Sequence, residues 1–204
     1  MTNNFNFIAP VYDGLAWLVF GKSIRASQLT FTSKIKEGDK ILILGGGSGW
    51  ILNELDQLDL SIKVEYVEAS SRMIELAKSK GPYGNLEVSY VLSETYMAKQ
   101  QFDVVITAFF LDVFNQNSLD QWMTNIDEML KSDGVWLQTD FVRGQRFWQK
   151  FLLKAMYSFF KLTCSLQGSK LQDFDKYFQQ LGFFKQQSKF YYGKMIEASL
   201  YRRL

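Results

Sequence analysis

Ile41-Leu42-Ile43-Leu44 runs straight into Gly45-Gly46-Gly47-Ser48-Gly49, and apolar residues then recur at helical spacing at Ile51, Leu52, Leu55 and Leu58. Four consecutive branched aliphatics bounded by glycine read as a strand buried on both faces. A buried strand that turns through glycine into a helix is the opening unit of a parallel sheet, because parallel neighbours need a crossover between them. The chain repeats that unit. Lys63 to Glu68 reads as a second strand, followed by a helix marked by Met73, Ile74 and Ala77 and capped by Ser70 or Ser71. Leu86 to Val91 is a third strand and Phe102 to Phe110 a fourth. Ser118-Leu119-Asp120-Gln121 reads as a capping box, with Leu119, Trp122, Met123, Ile126, Met129 and Leu130 as the apolar stripe behind it. Gly134 to Asp140 is a fifth strand.

The last third changes character. Phe147, Trp148, Phe151, Leu152, Met156, Phe159 and Phe160 mark an aromatic helix over 146–163, with Lys150, Lys154, Ser158 and Lys161 as its polar stripe. Leu171, Phe174, Phe178 and Leu181 mark another helix. Phe184 to Tyr192 and Met195 to Arg202 are strands around Gly193-Lys194, a connection short enough to permit only an antiparallel hairpin. The expectation is an α/β, Rossmann-like fold: a seven-stranded, mostly parallel sheet with helices on both faces and a C-terminal antiparallel hairpin. It is read as one domain over 1–204, with an N-terminal helical cap over 1–36 and the core over 37–204.

Composition narrows the chemistry. The 204 residues include no histidine, which removes histidine bases, Ser-His-Asp triads and the usual zinc sites. One cysteine, Cys164, excludes an internal disulfide and any multi-cysteine metal site, so no metal is expected. A net charge of +2 does not imply nucleic acid as a partner. Apolar runs such as Leu15 to Phe20 fall far short of the ~18 residues of a membrane span. The opening Met-Thr-Asn-Asn-Phe-Asn has no basic stretch of a secretory signal, so a cytoplasmic protein is expected. With 18 Phe, 10 Tyr and 5 Trp, the aromatic content fits either an aromatic-walled pocket or aromatic-rich packing.

Open α/β sheets bind ligands beyond the carboxyl ends of their strands, where the strand order reverses. The glycine loop after Leu44 belongs there, and the helix behind it offers unpaired N–H groups. A dinucleotide fingerprint places a third glycine where this chain has Trp50, and no Gly-Lys-Ser/Thr follows as a P-loop requires. The remaining pattern is Gly-x-Gly-x-Gly at 45, 47 and 49, which a purely structural tight turn also satisfies. Glu68 ends the second strand nineteen residues after Gly49, where a carboxylate can accept both hydroxyls of an adenosine ribose. Glu94, in Ser93-Glu94-Thr95 past the third strand, is placed to accept the adenine amine.

At this point the chain resembles the class I S-adenosylmethionine-dependent methyltransferases. The matching stretches are Ile41 to Gly49, Val64 to Lys78, Phe102 to Phe114 and Gly134 to Phe141. The opening Phe7-Ile8-Ala9-Pro10-Val11-Tyr12-Asp13 is similar to the start of small-molecule methyltransferases related to the ubiquinone/menaquinone biosynthesis C-methyltransferases. The resemblance implies S-adenosylmethionine as cofactor. It implies that Gly45, Gly46 and Gly47 approach the methionine moiety and ribose, and that Glu68 binds the ribose hydroxyls. Ala69 and Met73 would flank the adenine, Glu94 and Thr95 would meet its edge, and Thr107, Ala108 and Phe109 would face the sulfonium. Tyr12 would close over the cofactor. One departure is Ile43, which stands where many members carry an acid. The aminopropyl transferases share a similar glycine start but need an acid closing the fourth strand, where this chain has Thr107.

The implied reaction is methyl transfer to a small-molecule acceptor by in-line displacement. The electrophile is already activated, so alignment and exclusion of water dominate. Candidate bases are Tyr12, Asp112 and Asp140, with Asp140 the first choice for meeting an acceptor. The aromatic helix has three readings: a cap that lines the acceptor pocket, a membrane-surface or partner face carrying Lys150, Lys154 and Lys161, or a core helix. The alternative function is a non-catalytic adenosine-ligand or partner-binding module on the same fold. A nicotinamide reductase is disfavoured by Trp50.

Overall fold

The computed structural model describes residues 14–142, 146–164 and 172–203, with the backbone alone at 157 and 160–164. A helix over 14–20 (α1) and α2 (Ser23–Gln28) precede β1 (Lys40–Leu44). Then come α3 (Trp50–Asp56), β2 (Ile62–Glu68), α4 (Ser71–Lys78), β3 (Leu86–Leu92) and β4 (Phe102–Ala108). They are followed by α5 (Gln116–Met129), β5 (Leu130–Phe141), α6 (Phe147–Cys164), α7 (Phe174–Gln180), β6 (Phe183–Tyr191) and β7 (Ile196–Arg203). The seven strands lie in the order β3-β2-β1-β4-β5-β7-β6. The first five are parallel, and β7 pairs antiparallel with both β5 and β6. The fold is therefore the mostly parallel sheet with a terminal hairpin that the alternation implied.

Strand alternation divides the core in two. Leu42 and Leu44 of β1 join Val105, Trp136 and the apolar stripe of α5 on one face, together with Phe174 and Phe178 of α7. Ile41 and Ile43 face the other way, onto Ile51, Leu52 and Leu55 of α3 and Ile74 and Ala77 of α4. This accounts for the unbroken aliphatic run: β1 is central, so both of its faces are covered. A third cluster, built on Phe20, Phe141, Leu153, Met195 and Ile196, joins α1 and α6 to the sheet's end.

Several boundaries differ from the sequence reading. Ser70 is the cap of α4, its hydroxyl accepting from the Met73 N–H at 3.2 Å. Helix α5, however, starts before Ser118. Asn115 is its cap and accepts the Ser118 N–H at 3.0 Å, so the Ser118 capping box is replaced by an equally good asparagine three residues earlier. β4 ends at Ala108 rather than Phe110, because Phe109 takes a φ of 53° that no strand accommodates. β5 begins at Leu130, directly from the helix, and a register shift between Phe102 and Val104 absorbs the mismatch. The hairpin turns through Tyr192–Lys194.

Helix α6 turns its aromatic side outward. Phe147 is 87% and Phe151 70% exposed, while Gln149 and Leu153 are buried. The buried Gln149 secures the helix: its side-chain oxygen accepts the Arg146 N–H at 2.9 Å, and its amide donates to the Gly193 carbonyl at 2.8 Å. The rings at 147 and 151 therefore mark the solvent side and not the core side, because a satisfied glutamine and a leucine took the inner positions.

Candidate functional site

The strand order reverses between β1 and β4, and the carboxyl ends of these strands frame a cleft. Its floor is the loop from Leu44 to Ser48. Val67, Glu68 and Ala69 from the end of β2 form one wall, with Met73 of α4. Ser93 and Glu94 after β3 extend that wall, since the Ser93 N–H donates to the Glu68 carbonyl at 3.0 Å. Ala108 at the end of β4 and Phe109 and Phe110 after it form the opposite wall, backed by Phe114 and Trp122. Trp17 of α1 and Arg25 of α2 close the mouth.

The glycine loop is held from several sides. Gly45 N–H donates to the Val67 carbonyl at 2.9 Å, and the Tyr66 hydroxyl donates to the Gly47 carbonyl at 2.8 Å. A Cβ at Gly46 would lie 2.2 Å from the Tyr66 ring, so the loop rests on an aromatic that leaves no room for a side chain. Gly49 has a φ of 80°, and a Cβ there would approach Ala77 of α4 to 2.5 Å. The Lys80 ammonium donates to the Ser48 carbonyl at 2.6 Å. The loop's shape is thus set by the protein itself.

Glu68 is the charged group at the centre of the cleft. One carboxylate oxygen accepts the Gly47 N–H at 2.9 Å and the other the Ser70 N–H at 2.9 Å. The residue is 8% exposed. Burial raises its pKa above the ordinary carboxylate range, against the pull of the N–H groups of Ser70, Gly47 and Ala69. Three backbone N–H groups leave acceptor capacity on the carboxylate for a hydroxyl donor from the cleft. Burial likewise drives the Tyr66 phenol well above its usual value, so it remains a neutral donor beneath the loop.

The residues proposed from sequence fall into three groups. Gly45, Gly46, Gly47, Glu68, Ala69, Met73, Glu94, Ala108 and Phe109 share the cleft wall. Thr95, Thr107, Asp112 and Asp140 lie outside it. The Thr107 hydroxyl accepts the Trp136 indole N–H at 2.9 Å on the α5 side of the sheet. Successive strand residues face opposite ways, so Thr107 and Ala108 do not reach the cleft together. Thr95 folds back on Ser93, its N–H donating to the Ser93 hydroxyl at 3.2 Å. Asp140 is buried against Asp112, and burial together with that neighbouring carboxyl pushes its pKa well above the ordinary range. Tyr12 lies outside the described residues. The wall residues that the sequence did not mark as site residues include Trp17, Arg25, Trp50 and Phe110. Arg25 stacks on Trp50 with its guanidinium carbon 5.1 Å from the ring centroid. An arginine fifteen residues ahead of β1, in a six-residue helix, carries no periodic signal.

Residues 41–134 match the family model described as a methyltransferase domain. The matched family is S-adenosylmethionine-dependent. No curated protein matches the sequence. Solved structures are similar over nearly the whole chain. The DhpI complex with S-adenosylhomocysteine is 16% identical, covering 98% of this chain and 93% of that one, with a TM-score of 0.71. The 1,6-didemethyltoxoflavin-N1-methyltransferase of Burkholderia thailandensis is 12% identical, covering 98% and 86%, with a TM-score of 0.67. A structure described as a pericyclic reaction enzyme is 14% identical, covering 88% of this chain and 46% of that one, with a TM-score of 0.64. At such identities the similarity establishes the shared fold. Among the described residues no helix is long and apolar enough to cross a membrane.

Proposed function

We propose that the protein transfers a methyl group from S-adenosylmethionine to a small-molecule acceptor. The observation that carries this reading is Glu68, a buried carboxylate held by Gly47 and Ser70 against a side-chain-free loop at the strand-order reversal. The cleft residues fit the cofactor. Glu68 offers acceptors to a ribose diol, Ala69 and Met73 offer apolar flanks to a base, and Glu94 stands beside them. The absence of side chains at Gly45 to Gly47 opens the main chain to close approach. Bound there, S-adenosylmethionine supplies a methyl already activated for displacement. The protein's task is then to position the acceptor and keep out water. Phe109, Phe110 and Phe114 provide an apolar wall for that purpose. Asp112 and Asp140 lie off the cleft wall, and an acceptor that is already nucleophilic needs no base at the methyl carbon itself.

The experiment is thermal unfolding with S-adenosylmethionine, S-adenosylhomocysteine and NADH, followed by a methyl-transfer screen of small nucleophiles. Saturating S-adenosylmethionine at a hundred times Kd adds ~2.7 kcal/mol of stability, whereas NADH adds none. No shift with either adenosyl compound defeats the reading. A second reading, a non-catalytic adenosine-binding module, is favoured by the position of Asp112 and Asp140 off the cleft wall. Binding without turnover across the screen selects it.

A further inference from the structure

The segments around α1, α2 and α6 have a composition unlike the rest of the chain. Residues 14–28 and 141–172 contain eight of the 23 Lys and Arg residues and none of the 21 Asp and Glu, and among the described side chains the basic ones are Lys22, Arg25, Arg146, Lys150 and Lys154. In a chain of net charge +2, the remainder is correspondingly acidic. The same two segments carry exposed aromatic and aliphatic side chains. Trp17 is 64% and Leu18 74% exposed on α1, and Phe147 and Phe151 stand out from α6.

Helices α1 and α6 share one packing cluster. Both pack on the cluster of Phe20, Phe141 and Leu153. Tyr192 bridges them: its hydroxyl donates to the Val19 carbonyl at 2.8 Å, and its ring meets Phe20 at 5.0 Å and Trp148 at 6.0 Å between centroids. On α6 the outward stripe runs Phe147, Lys150, Phe151, Lys154, all exposed. Rings and ammonium groups therefore alternate along one helical face at i, i+3 and i+4 spacing.

We propose that this α1–α6 face docks on an anionic lipid surface. The alternation decides the occupant. Phenylalanine and tryptophan rings enter the boundary between headgroups and acyl chains, while lysine stems reach back along them to place their charge at the phosphates. A second copy of the chain would bring the same positive charge to the contact, with no acid in either segment to neutralise it. Attachment is peripheral, since none of the described helices spans a bilayer. Trp17 also lines the mouth of the cleft, so docking sets that mouth beside the lipid. The inference does not depend on methyl transfer.

The test is co-sedimentation of the full chain with vesicles of phosphatidylcholine alone and of phosphatidylcholine mixed equally with phosphatidylglycerol. Binding is expected to the mixed vesicles, about tenfold weaker to phosphatidylcholine, and reduced by added salt. Tryptophan emission shifts to the blue on binding. The pairs F147S/F151S and K150E/K154E each weaken binding by about tenfold while leaving the unfolding temperature in place, since all four side chains face outward. No binding to the mixed vesicles overturns the proposal. So does binding that ignores both double variants, or a dimer in solution that F147S/F151S dissolves while vesicles are not bound.

Discussion

Glu68 joins two roles in one side chain. It ties the glycine loop to the start of α4, and it presents the cleft's buried carboxylate. Glu68→Ala is expected to weaken S-adenosylmethionine binding about ten- to a hundredfold by calorimetry, the size of a lost bond to a charged group. Gly46→Ala is expected to abolish that binding and to lower stability by about 1–3 kcal/mol in denaturant titration, because the new methyl meets a fully buried Tyr66 ring. Asp140 gives a pH-dependent case. Its folded pKa is raised, so the native state holds a proton that the unfolded chain gives up. Stability from this group is present at acid pH and is lost as pH rises from the ordinary aspartate range through the raised value. Asp140→Asn keeps the shape, donates to Asp112 and removes the charge. It should therefore raise the unfolding temperature at neutral pH and change it less under acid conditions. These residues were unequally legible. Glu68 stood out because a strand-end acid lies at a fixed distance from a glycine turn. The Asp112–Asp140 contact did not, because two acids twenty-eight positions apart meet only once the sheet is built.

Among elements, the strands were the easiest to read and α6 the hardest. Central strands covered on both faces must be continuously aliphatic, and β1 and β4 announce themselves. An amphipathic helix reads the same whether its rings face the core or the outside. In α6 that choice was settled by Gln149, whose polar atoms are both satisfied internally. Gln149→Ala removes the bond to Gly193 and the tie to Arg146, and should cost about 1–2 kcal/mol. Hydrogen exchange in α6 is expected to rise well before that of β1 or β4, whose amides are paired on both sides. Cap positions are partly legible: Ser70 directly precedes its helix, whereas Asn115 competes with the capping-box pattern at Ser118 three residues later.

At the scale of the whole molecule, the reversal of strand order sets the cleft in place, and the terminal hairpin completes the sheet beside β5. The Lys185 ammonium binds Asp175 at 2.8 Å and Glu197 at 2.8 Å, linking α7, β6 and β7. Lys185→Met leaves two acids facing each other across that half-exposed junction and is expected to cost about 1–2 kcal/mol, read from the denaturation midpoint. The sequence could show a hairpin, but not that its second strand would slip in between β5 and the first. That insertion has a consequence for how the chain is made. Trp136 and its neighbours on β5 keep a bare hydrogen-bonding edge until Ile196 to Arg203 have been synthesised, and β6 alone cannot cover it. The growing chain thus carries an open seam almost to the end of its synthesis, and it is the later arm of the hairpin that sews it shut.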